Sequence, residues 1–269
     1  MRVLGIESSS LVASVALVTD DILTAEYTVD FKKTHSQTLL PMLDEIVKLL
    51  ELDLDTVDAI AVAGGPGSFT GLRIGAATAK GLGLALKKPL VHVPTVDAMA
   101  YNMWGAGGLV CPIMDAKRSQ VYTGLYRTEN GLEVVMEQCP MDMRELADLL
   151  NQKGEKVIFL GDGVPVYKGM IEEELRIPYV FAPAQMNRQR ASCVAALGMT
   201  ALLEGGGGDE VTQAGKGTCG SFGAGGYHGA RLVSAAQFTP DYLRKPQAER
   251  QREAELSEQG AAGKLPGDY

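Results

Sequence analysis

The chain has 269 residues, of which 46% are hydrophobic and 22% charged, enough for one large or two modest folded domains. Its formal net charge of −8 argues against a protein that grips nucleic acid by neutralising phosphates, so any such contact would need a more basic partner. No stretch reaches the ~18 consecutive apolar residues of a membrane span, and the N-terminus lacks the apolar core of a signal peptide, so we expect a cytoplasmic protein without membrane contact.

The first half of the chain predicts the order β-β-β-α-β-α, followed by another short strand. Its strand-like segments, apolar or rich in strand formers, are residues 2–8, 12–18, 22–29, 58–63 and 89–93. Its predicted helices are residues 35–51, where apolar residues recur at helical spacing, and residues 70–86. A Ser8-Ser9-Ser10 turn joins the first two strands, and a glycine-rich loop precedes the second helix.

The second half of the chain repeats this order. Its predicted strands are residues 110–114, 121–126, 132–137 and 157–160, and its predicted helices are residues 142–153, 166–175 and 190–203. Asp142 and Glu145 stand as a capping pair at the start of the first of these helices. Two copies of one order predict two α/β lobes, each with a mixed sheet and packed helices. The predicted lobes are residues 1–106, onto which helix 190–204 packs back, and residues 107–245.

Two segments are predicted to lack fixed structure. Eleven of the 25 residues in 205–229 are glycine, which indicates a flexible insertion in the second lobe. Residues 246–269 are charged and contain few apolar residues, which is typical of a disordered tail.

The glycine-rich loop, Gly64-Gly-Pro-Gly-Ser-Phe-Thr-Gly71, lies between a strand and a helix. Backbone N–H groups at such a point can cradle a phosphate. The loop lacks the lysine and spacing of a P-loop, and Thr70 stands where a dinucleotide fingerprint needs its last glycine. The chemistry therefore favours a tight structural turn capped by Ser68 or Thr70, with a phosphate cradle as the alternative.

As a whole, Gly65-Pro-Gly-Ser-Phe-Thr-Gly-Leu-Arg-Ile-Gly75 resembles the signature of the TsaB family, also called YeaZ. Other motifs similar to those of the family are Gly5-Ile-Glu-Ser-Ser9, Thr34-His-Ser36 with Leu39-Leu-Pro-Met42, Asp115-Ala-Lys-Arg118 with Val121-Tyr122, and Pro240-Asp-Tyr-Leu-Arg244. The resemblance covers residues 1–244, interrupted by the glycine-rich insertion. It implies the duplicated, ribonuclease H-like fold of actin-like ATPases and sugar kinases. It also implies a role in threonylcarbamoylation of adenosine 37 of tRNA, where TsaD is the catalytic subunit and TsaE an ATP-using component.

The histidines and cysteines do not form a metal site by their spacing. The resemblance implies that catalytic TsaD relatives carry a His-x-x-x-His metal pair after the strand that corresponds to residues 89–93, and residues 95–101 here contain no histidine. The three histidines are His35, expected at a cap or surface, His92, expected in the core, and His228, in the glycine-rich insertion. The four cysteines, which we expect to be free thiols, are Cys111, Cys139, Cys193 and Cys219. We therefore expect no catalytic residue, no metal and no cofactor.

One acidic residue keeps an alternative open. Glu7 ends the first strand, where the resemblance implies that kinase-like relatives keep an acid for magnesium and nucleotide. The vestigial candidates for such a site are Glu7, Ser8, Ser9, Gly65 and Gly67, with a structural turn as the alternative. The turn Asp115-Ala-Lys-Arg118 is either a solvated hairpin with local ion pairs or a partner contact.

Small residues on the second helix indicate an interaction surface. Gly71, Gly75, Ala79 and Gly83 form one row at four-residue spacing, and Ala77, Gly81 and Ala85 form another. Each helical glycine costs about 1 kcal/mol relative to alanine, and close approach of another backbone can compensate that cost. The predicted partner-binding residues are Leu39, Met42, Leu43, Ile46, Gly71, Ile74, Gly75, Thr78 and Ala79. Packing of one row on the protein's own sheet is the alternative.

The sequence thus predicts a non-catalytic scaffold that pairs with TsaD, works with TsaE, forms a homodimer when alone, and meets tRNA only within the complex. The alternatives are a nucleotide-dependent kinase-like enzyme and a metalloprotease, for which the metal ligands are missing.

Overall fold

Two mixed β-sheets organise the residues that the computed structural model describes, which are 1–205 and 229–243. The elements of the first lobe are β1 (Arg2–Glu7), β2 (Val12–Thr19), β3 (Ile22–Asp30), α1 (His35–Leu49), β4 (Ala59–Gly65), α2 (Phe69–Leu86), β5 (Leu90–Pro94) and α3 (Thr95–Tyr101). Those of the second lobe are β6 (Leu109–Asp115), β7 (Gln120–Arg127), β8 (Glu133–Asp142), α4 (Met143–Lys153), β9 (Val157–Leu160), α5 (Val164–Glu174) and β10 (Tyr179–Phe181). Helix α6 (Ala191–Gly205) and strand β11 (Arg231–Val233) follow.

The two sheets share one strand order, which confirms the predicted duplicated α/β fold. Apart from β11, the first sheet runs β5-β4-β1-β2-β3, and the second runs β10-β9-β6-β7-β8. In each lobe the opening strand pairs antiparallel with the second strand and parallel with the fourth. The buried parallel strands, such as Ala59–Gly65, are continuous apolar runs, as expected for strands covered on both faces.

The C-terminal residues belong to a different lobe from the one predicted. Helix α6 packs on β1, β2 and β4 of the first lobe, as the sequence suggested. Strand β11 pairs antiparallel with β5, and Phe238 is buried in the first-lobe core. Residues 229–243 therefore lie in the first lobe, and the predicted second lobe of 107–245 is wrong in this respect, because β5 leaves an open edge that β11 covers. The other residues of the predicted insertion and tail, 206–228 and 244–269, lie outside the described residues.

Helix α3 joins the lobes. Its Val96 and Met99 pack in one apolar cluster with second-lobe strand residues such as Ile158 and Leu160. The phenol of Tyr126 donates a hydrogen bond of 2.6 Å to Asp97 Oδ1. The lobes therefore meet through a buried surface in which a polar pair is satisfied.

Helix α1 turns its predicted docking residues inward. Leu39, Met42, Leu43 and Ile46 are at most 5% exposed and pack in the first-lobe core. The prediction that these four side chains form an exposed docking face is wrong, because they are the side chains of α1 that face the core. The large apolar side chains that α1 exposes are Leu40, at 53%, and Leu49, at 81%.

The first row of small residues on α2 also faces inward. A Cβ at Gly71 would overlap the backbone oxygen of Ser8, and one at Gly75 would overlap Ser8 Oγ. Ala79 is fully buried. The predicted partner contacts at these three positions are therefore wrong, and the internal packing left open as the alternative is the one observed. Ile74 and Thr78 are only partly buried.

We predict that Gly71→Ala and Gly75→Ala each lower the free energy of unfolding by about 1–3 kcal/mol, because the added methyl group overlaps Ser8. Adding Ser8→Ala should recover much of the loss for Gly75→Ala, whose clash is with a side-chain atom. It should not help Gly71→Ala, whose clash is with backbone. Urea unfolding of the single and double variants measures this coupling.

Gly81→Ala is the matched control, since a Cβ there meets nothing within 4 Å, and it should stabilise the fold by up to about 1 kcal/mol. Equal behaviour of all three glycine variants would contradict the packing described.

Candidate functional site

A buried carboxyl group lies where the lobes meet. Glu7, the last residue of β1, is 1% exposed, and its Oε1 accepts the backbone N–H of Ser9 at 2.6 Å. Among the described residues, neither Glu7 Oε2 nor Ser9 Oγ has a hydrogen-bond partner of good geometry. Burial raises the pKa of Glu7 to about 7, and the charge of Asp162 adds to the effect against the lowering by Ser9. Glu7 therefore holds a proton under conditions in which an exposed glutamate would be ionised.

Two second-lobe carboxylates stand near this position. Asp162, in the loop after β9, accepts a hydrogen bond of 3.1 Å from Gln189 Nε2, and burial raises its pKa. Asp115, at the end of β6, accepts bonds from Lys117 and Tyr167. Burial alone would raise the pKa of Asp115, but the Lys117 bonds outweigh it and lower the pKa. Sequence reasoning missed Asp162 and Gln189, which adjoin the junction only through the fold.

The turn after Asp115 is a tight, exposed hairpin. Lys117, Arg118 and Ser119 all have positive φ, at 64°, 58° and 59°. Lys117 is 83% exposed and pairs with the carboxylate of Asp115 at 2.5 Å. The observed ion pair matches the solvated hairpin that the sequence left open, and the exposed bases leave room for a partner contact.

Two backbone N–H groups of the glycine-rich loop donate hydrogen bonds to other parts of the chain. The N–H of Gly65 donates to Thr95 Oγ1 at 3.2 Å, and the N–H of Ser68 donates to the Ser9 backbone oxygen at 2.6 Å. A Cβ at Gly67 would overlap the Ser9 oxygen, and one at Gly65 would overlap the Asp241 oxygen. Gly65 and Gly67 therefore allow close approach of the chain's own backbone, and these bonds disfavour a phosphate cradle.

The vestigial site residues are brought together, but as a buried turn. Ser8 Oγ donates to the Gly71 backbone oxygen at 3.0 Å, and the Ser8 oxygen presses on the same helix. Ser8 and Ser9 are at most 1% exposed. A magnesium–nucleotide site needs an ionised, accessible carboxylate, whereas Glu7 is 1% exposed and burial raises its pKa to about 7. The donor set around Glu7 does not fit that group.

The described histidines both have structural surroundings. His35 was expected at a cap or surface, but it is only 8% exposed and its Nε2 lies 2.8 Å from the Ser10 oxygen. The sequence missed this because the turn at Ser10 folds over the helix start. His92 is a core residue, as predicted, with Nε2 3.2 Å from Asp241 Oδ2. His228 lies outside the described residues.

Within residues 1–205 and 229–243, no three His, Cys, Asp or Glu side chains are grouped to hold a metal ion. Cys111 and Cys193 are buried, and burial raises the pKa of each thiol to about 12. No helix in these ranges is long and apolar enough to cross a bilayer.

The second row of small residues on α2 is the exposed one. Ala77, Gly81 and Ala85 face solvent, and Leu84 on the same side is 63% exposed. A Cβ at Gly81 would meet no atom of the described residues within 4 Å, so no contact among these residues requires glycine there. We call Ala77, Gly81, Leu84 and Ala85 the exposed α2 stripe. It is the part of the predicted docking helix that a partner can reach.

Comparisons with known proteins place the chain among proteins of tRNA modification. A family model described as TsaD, tRNA N6-adenosine threonylcarbamoyltransferase, matches residues 29–212. The tRNA threonylcarbamoyladenosine biosynthesis protein TsaB of Bacillus subtilis (strain 168) is 36% identical over 200 residues, or 74% of this chain and 87% of the relative. The protein of that name from Escherichia coli (strain K12) is 37% identical over 135 residues, or 49% of this chain and 58% of the relative.

A solved structure shows the same fold. YeaZ from Pseudomonas aeruginosa matches with a TM-score of 0.69 and 24% identity, covering 90% of this chain and 99% of that protein. The match agrees with the duplicated strand order and with the two packed lobes described above. On the identity to the Bacillus subtilis relative and the share of its length that is covered, the chain belongs to the TsaB family of tRNA threonylcarbamoyladenosine biosynthesis proteins.

Proposed function

We propose that this chain is a non-catalytic scaffold subunit for the threonylcarbamoylation of adenosine 37 of tRNA in the cytoplasm, and that it binds and supports a TsaD catalytic subunit. The observation that carries the proposal is the exposed α2 stripe, in which Gly81 lies among small side chains and beside the exposed Leu84. Gly81 costs the α2 helix about 1 kcal/mol relative to alanine, and no neighbour among the described residues compensates that cost. Close approach of a partner helix compensates it, since glycine lets two backbones pack tightly.

The surroundings of Gly81 fit a helix partner. The exposed α2 stripe presents small side chains along two turns, with Leu84 as a large apolar side chain among them. An exposed apolar side chain among small residues on one helix face is characteristic of a protein–protein interface.

The partner is a TsaD subunit, because this chain itself matches the TsaD family model over residues 29–212. When TsaD is absent, the same face pairs with a second copy of this chain, as in a two-fold symmetric homodimer, where both subunits use one patch. TsaE joins as a further component, and tRNA is met only within the complex. The net charge of −8 supports that last point, since an acidic surface alone repels phosphates.

The absence of a catalytic role of its own is supported by the junction of the lobes. Glu7 is buried with its pKa raised to about 7, and the N–H groups of Gly65 and Ser68 are bonded within the chain. A kinase-like reaction would need these groups to face a nucleotide phosphate and its metal. Instead, the Ser68 N–H ties the loop to the β1–β2 turn at Ser9, and the Gly65 N–H ties it to Thr95 at the start of α3.

We predict that the purified chain leaves adenosine 37 unmodified when mixed with tRNA, threonine, bicarbonate, ATP and the enzyme that forms the carbamoyl-adenylate. Addition of TsaD should start the reaction. Product analysis of digested tRNA by mass spectrometry measures the outcome, and TsaD without this chain is the control. Product formed by the chain in the absence of TsaD would overturn the scaffold role.

We predict that Gly81→Leu weakens association with TsaD by roughly ten- to hundredfold, because leucine separates two closely packed backbones at a cost of about 1–3 kcal/mol. The fold should be kept, since the site is open and leucine is the better helix former. Analytical ultracentrifugation gives the affinity, and circular dichroism gives the melting temperature.

The matched control is Gly169→Leu in α5, another exposed helical glycine with nothing within 4 Å of a Cβ, but in the second lobe. It should bind TsaD as the unchanged chain does. Equal affinities for both leucine variants would show that the interface lies elsewhere.

We predict that Glu7→Gln stabilises the protein more at pH 8 than at pH 5. The folded-state pKa of Glu7 is raised to about 7, so the unfolded chain releases the proton first as the pH rises, and stability falls between about pH 4.5 and 7. Glutamine removes that loss, which is on the order of 3 kcal/mol at full ionisation. Thermal melting of both proteins across this range measures the effect, and a constant difference would contradict the buried, protonated state.

Activity of the complex should survive Glu7→Gln if the chain is a scaffold. A kinase-like enzyme that used Glu7 as a magnesium ligand would lose its activity instead.

A further inference from the structure

The segment 229–243 runs back over the first lobe and is called here the C-terminal strap. Its strand β11 extends the first sheet beside β5, and Ala235 and Phe238 are buried in the first-lobe core. The side chain of Lys80, on α2, donates to the backbone oxygens of Ala236 at 3.2 Å and Phe238 at 3.1 Å. The strap is therefore tied to the docking helix as well as to the sheet.

The end of the strap holds the first turns of α2. The ring of Tyr242 packs on Phe69 with centroids 4.9 Å apart. The guanidinium of Arg73 lies 4.0 Å from the centre of the Phe69 ring, and its Nε donates to the Tyr242 hydroxyl at 3.4 Å. The three side chains form one cluster at the start of the helix.

Charged groups anchor the strap just before this cluster. The Asp241 carboxylate accepts from Arg231 at 2.7 Å and lies 3.2 Å from His92 Nε2. The N–H of Asp241 donates to the Gly64 oxygen at 2.7 Å. Burial would raise the pKa of Asp241, but His92 and Arg231 outweigh it and lower the pKa. The strap is thus fixed to the glycine-rich loop that begins α2.

The strap meets α2 on the same row of residues that forms the exposed stripe. Phe69 and Arg73 are followed at four-residue spacing by Ala77, Gly81 and Ala85. Residues at this spacing lie along one ridge of a helix. Phe69 and Arg73 are the two bulky members of the ridge, and the strap holds them through Tyr242. On this ridge the contacts of Tyr242 end at Arg73, and the small residues begin at Ala77.

We propose that the C-terminal strap is a positioning element for the docking face, with Tyr242 and Asp241 as its positioning residues. It fixes the start of α2 and keeps Phe69 and Arg73 in one arrangement, so that the TsaD subunit meets a preformed surface at Gly81. Preformed surfaces bind more tightly because less conformational freedom is lost on association. The inference rests on the proposed function, since it assumes that α2 is the docking helix.

The experiment compares variants of the full chain for TsaD affinity, by ultracentrifugation, and for melting temperature. Tyr242→Ala removes the ring that packs on Phe69, and Asp241→Asn weakens the anchor without touching α2. Both should weaken TsaD binding about tenfold. Tyr242→Phe keeps the ring and should bind as the unchanged chain does. Hydrogen exchange in α2 should rise for Tyr242→Ala.

Tyr179→Ala is the matched control for stability. Tyr179 packs its ring on Phe181 with centroids 5.6 Å apart, in the second lobe and away from α2. It should lower the melting temperature without changing TsaD affinity. If Tyr179→Ala loses as much affinity as Tyr242→Ala at the same loss of melting temperature, the effect of the strap is a general loss of stability. That result would overturn the inference.

Two further outcomes separate the inference from the function beneath it. If Gly81→Leu loses binding but Tyr242→Ala binds as the unchanged chain does, the inference fails and the docking face stands. If Gly81→Leu also binds normally, the docking face is wrong and the inference fails with it. Loss of binding in Tyr242→Ala but not in Asp241→Asn would make Tyr242 a direct contact, and would overturn the positioning role.

Discussion

The close approach of the Ser8–Ser10 turn to the start of α2 is the constraint on which the first lobe depends. The Ser8 oxygen and hydroxyl lie against Gly71 and Gly75, and the Ser9 oxygen lies against Gly67. Any side chain at these glycines would push the helix away from the sheet. The contact also bends the turn so that the Ser9 N–H reaches Glu7. This packing contact thus explains Gly67, Gly71 and Gly75 of the glycine-rich signature, and the bond from the Ser68 N–H to the Ser9 oxygen belongs to it.

The second lobe has a similar close contact between glycines and a backbone oxygen, but with different side chains around it. A Cβ at Gly161 or Gly163, in the loop between β9 and α5, would crowd the Ile113 backbone oxygen near the end of β6. Here the turn after the first strand carries charge instead of serines, and Asp115 is satisfied by Lys117 and by Tyr167 from α5. The duplication therefore preserves a backbone contact between helix loop and first strand, while the side chains at the strand end have diverged.

Much of the fold could be predicted from the sequence, because strand and helix periodicity is local. The short elements α3, β10 and β11 were missed, since three to seven residues carry too little pattern and their stability comes from tertiary contacts. The docking residues were misplaced for a related reason. Periodicity shows that Gly71, Gly75 and Ala79 share a face, but not whether that face or the neighbouring row at Gly81 points to the sheet. The raised pKa of Glu7 could not be predicted from the sequence either, because it arises from burial in the folded chain.

The glycines of α2 distinguish internal packing from binding. Gly71, Gly75 and Gly83 each lie against a neighbour of their own chain. Close packing there compensates the lower helix propensity of glycine. At Gly81 no described residue lies within 4 Å of a Cβ, so glycine brings no packing contact there. Leu84 and Ala85 beside it expose further apolar surface. The buried Glu7 lies at the junction of the lobes, whereas Gly81 and Leu84 lie on the side of α2 that the described residues leave open. Helix α2 thus packs on the Ser8–Ser10 turn with the side that carries Gly71 and Gly75, and it exposes the side that carries Gly81.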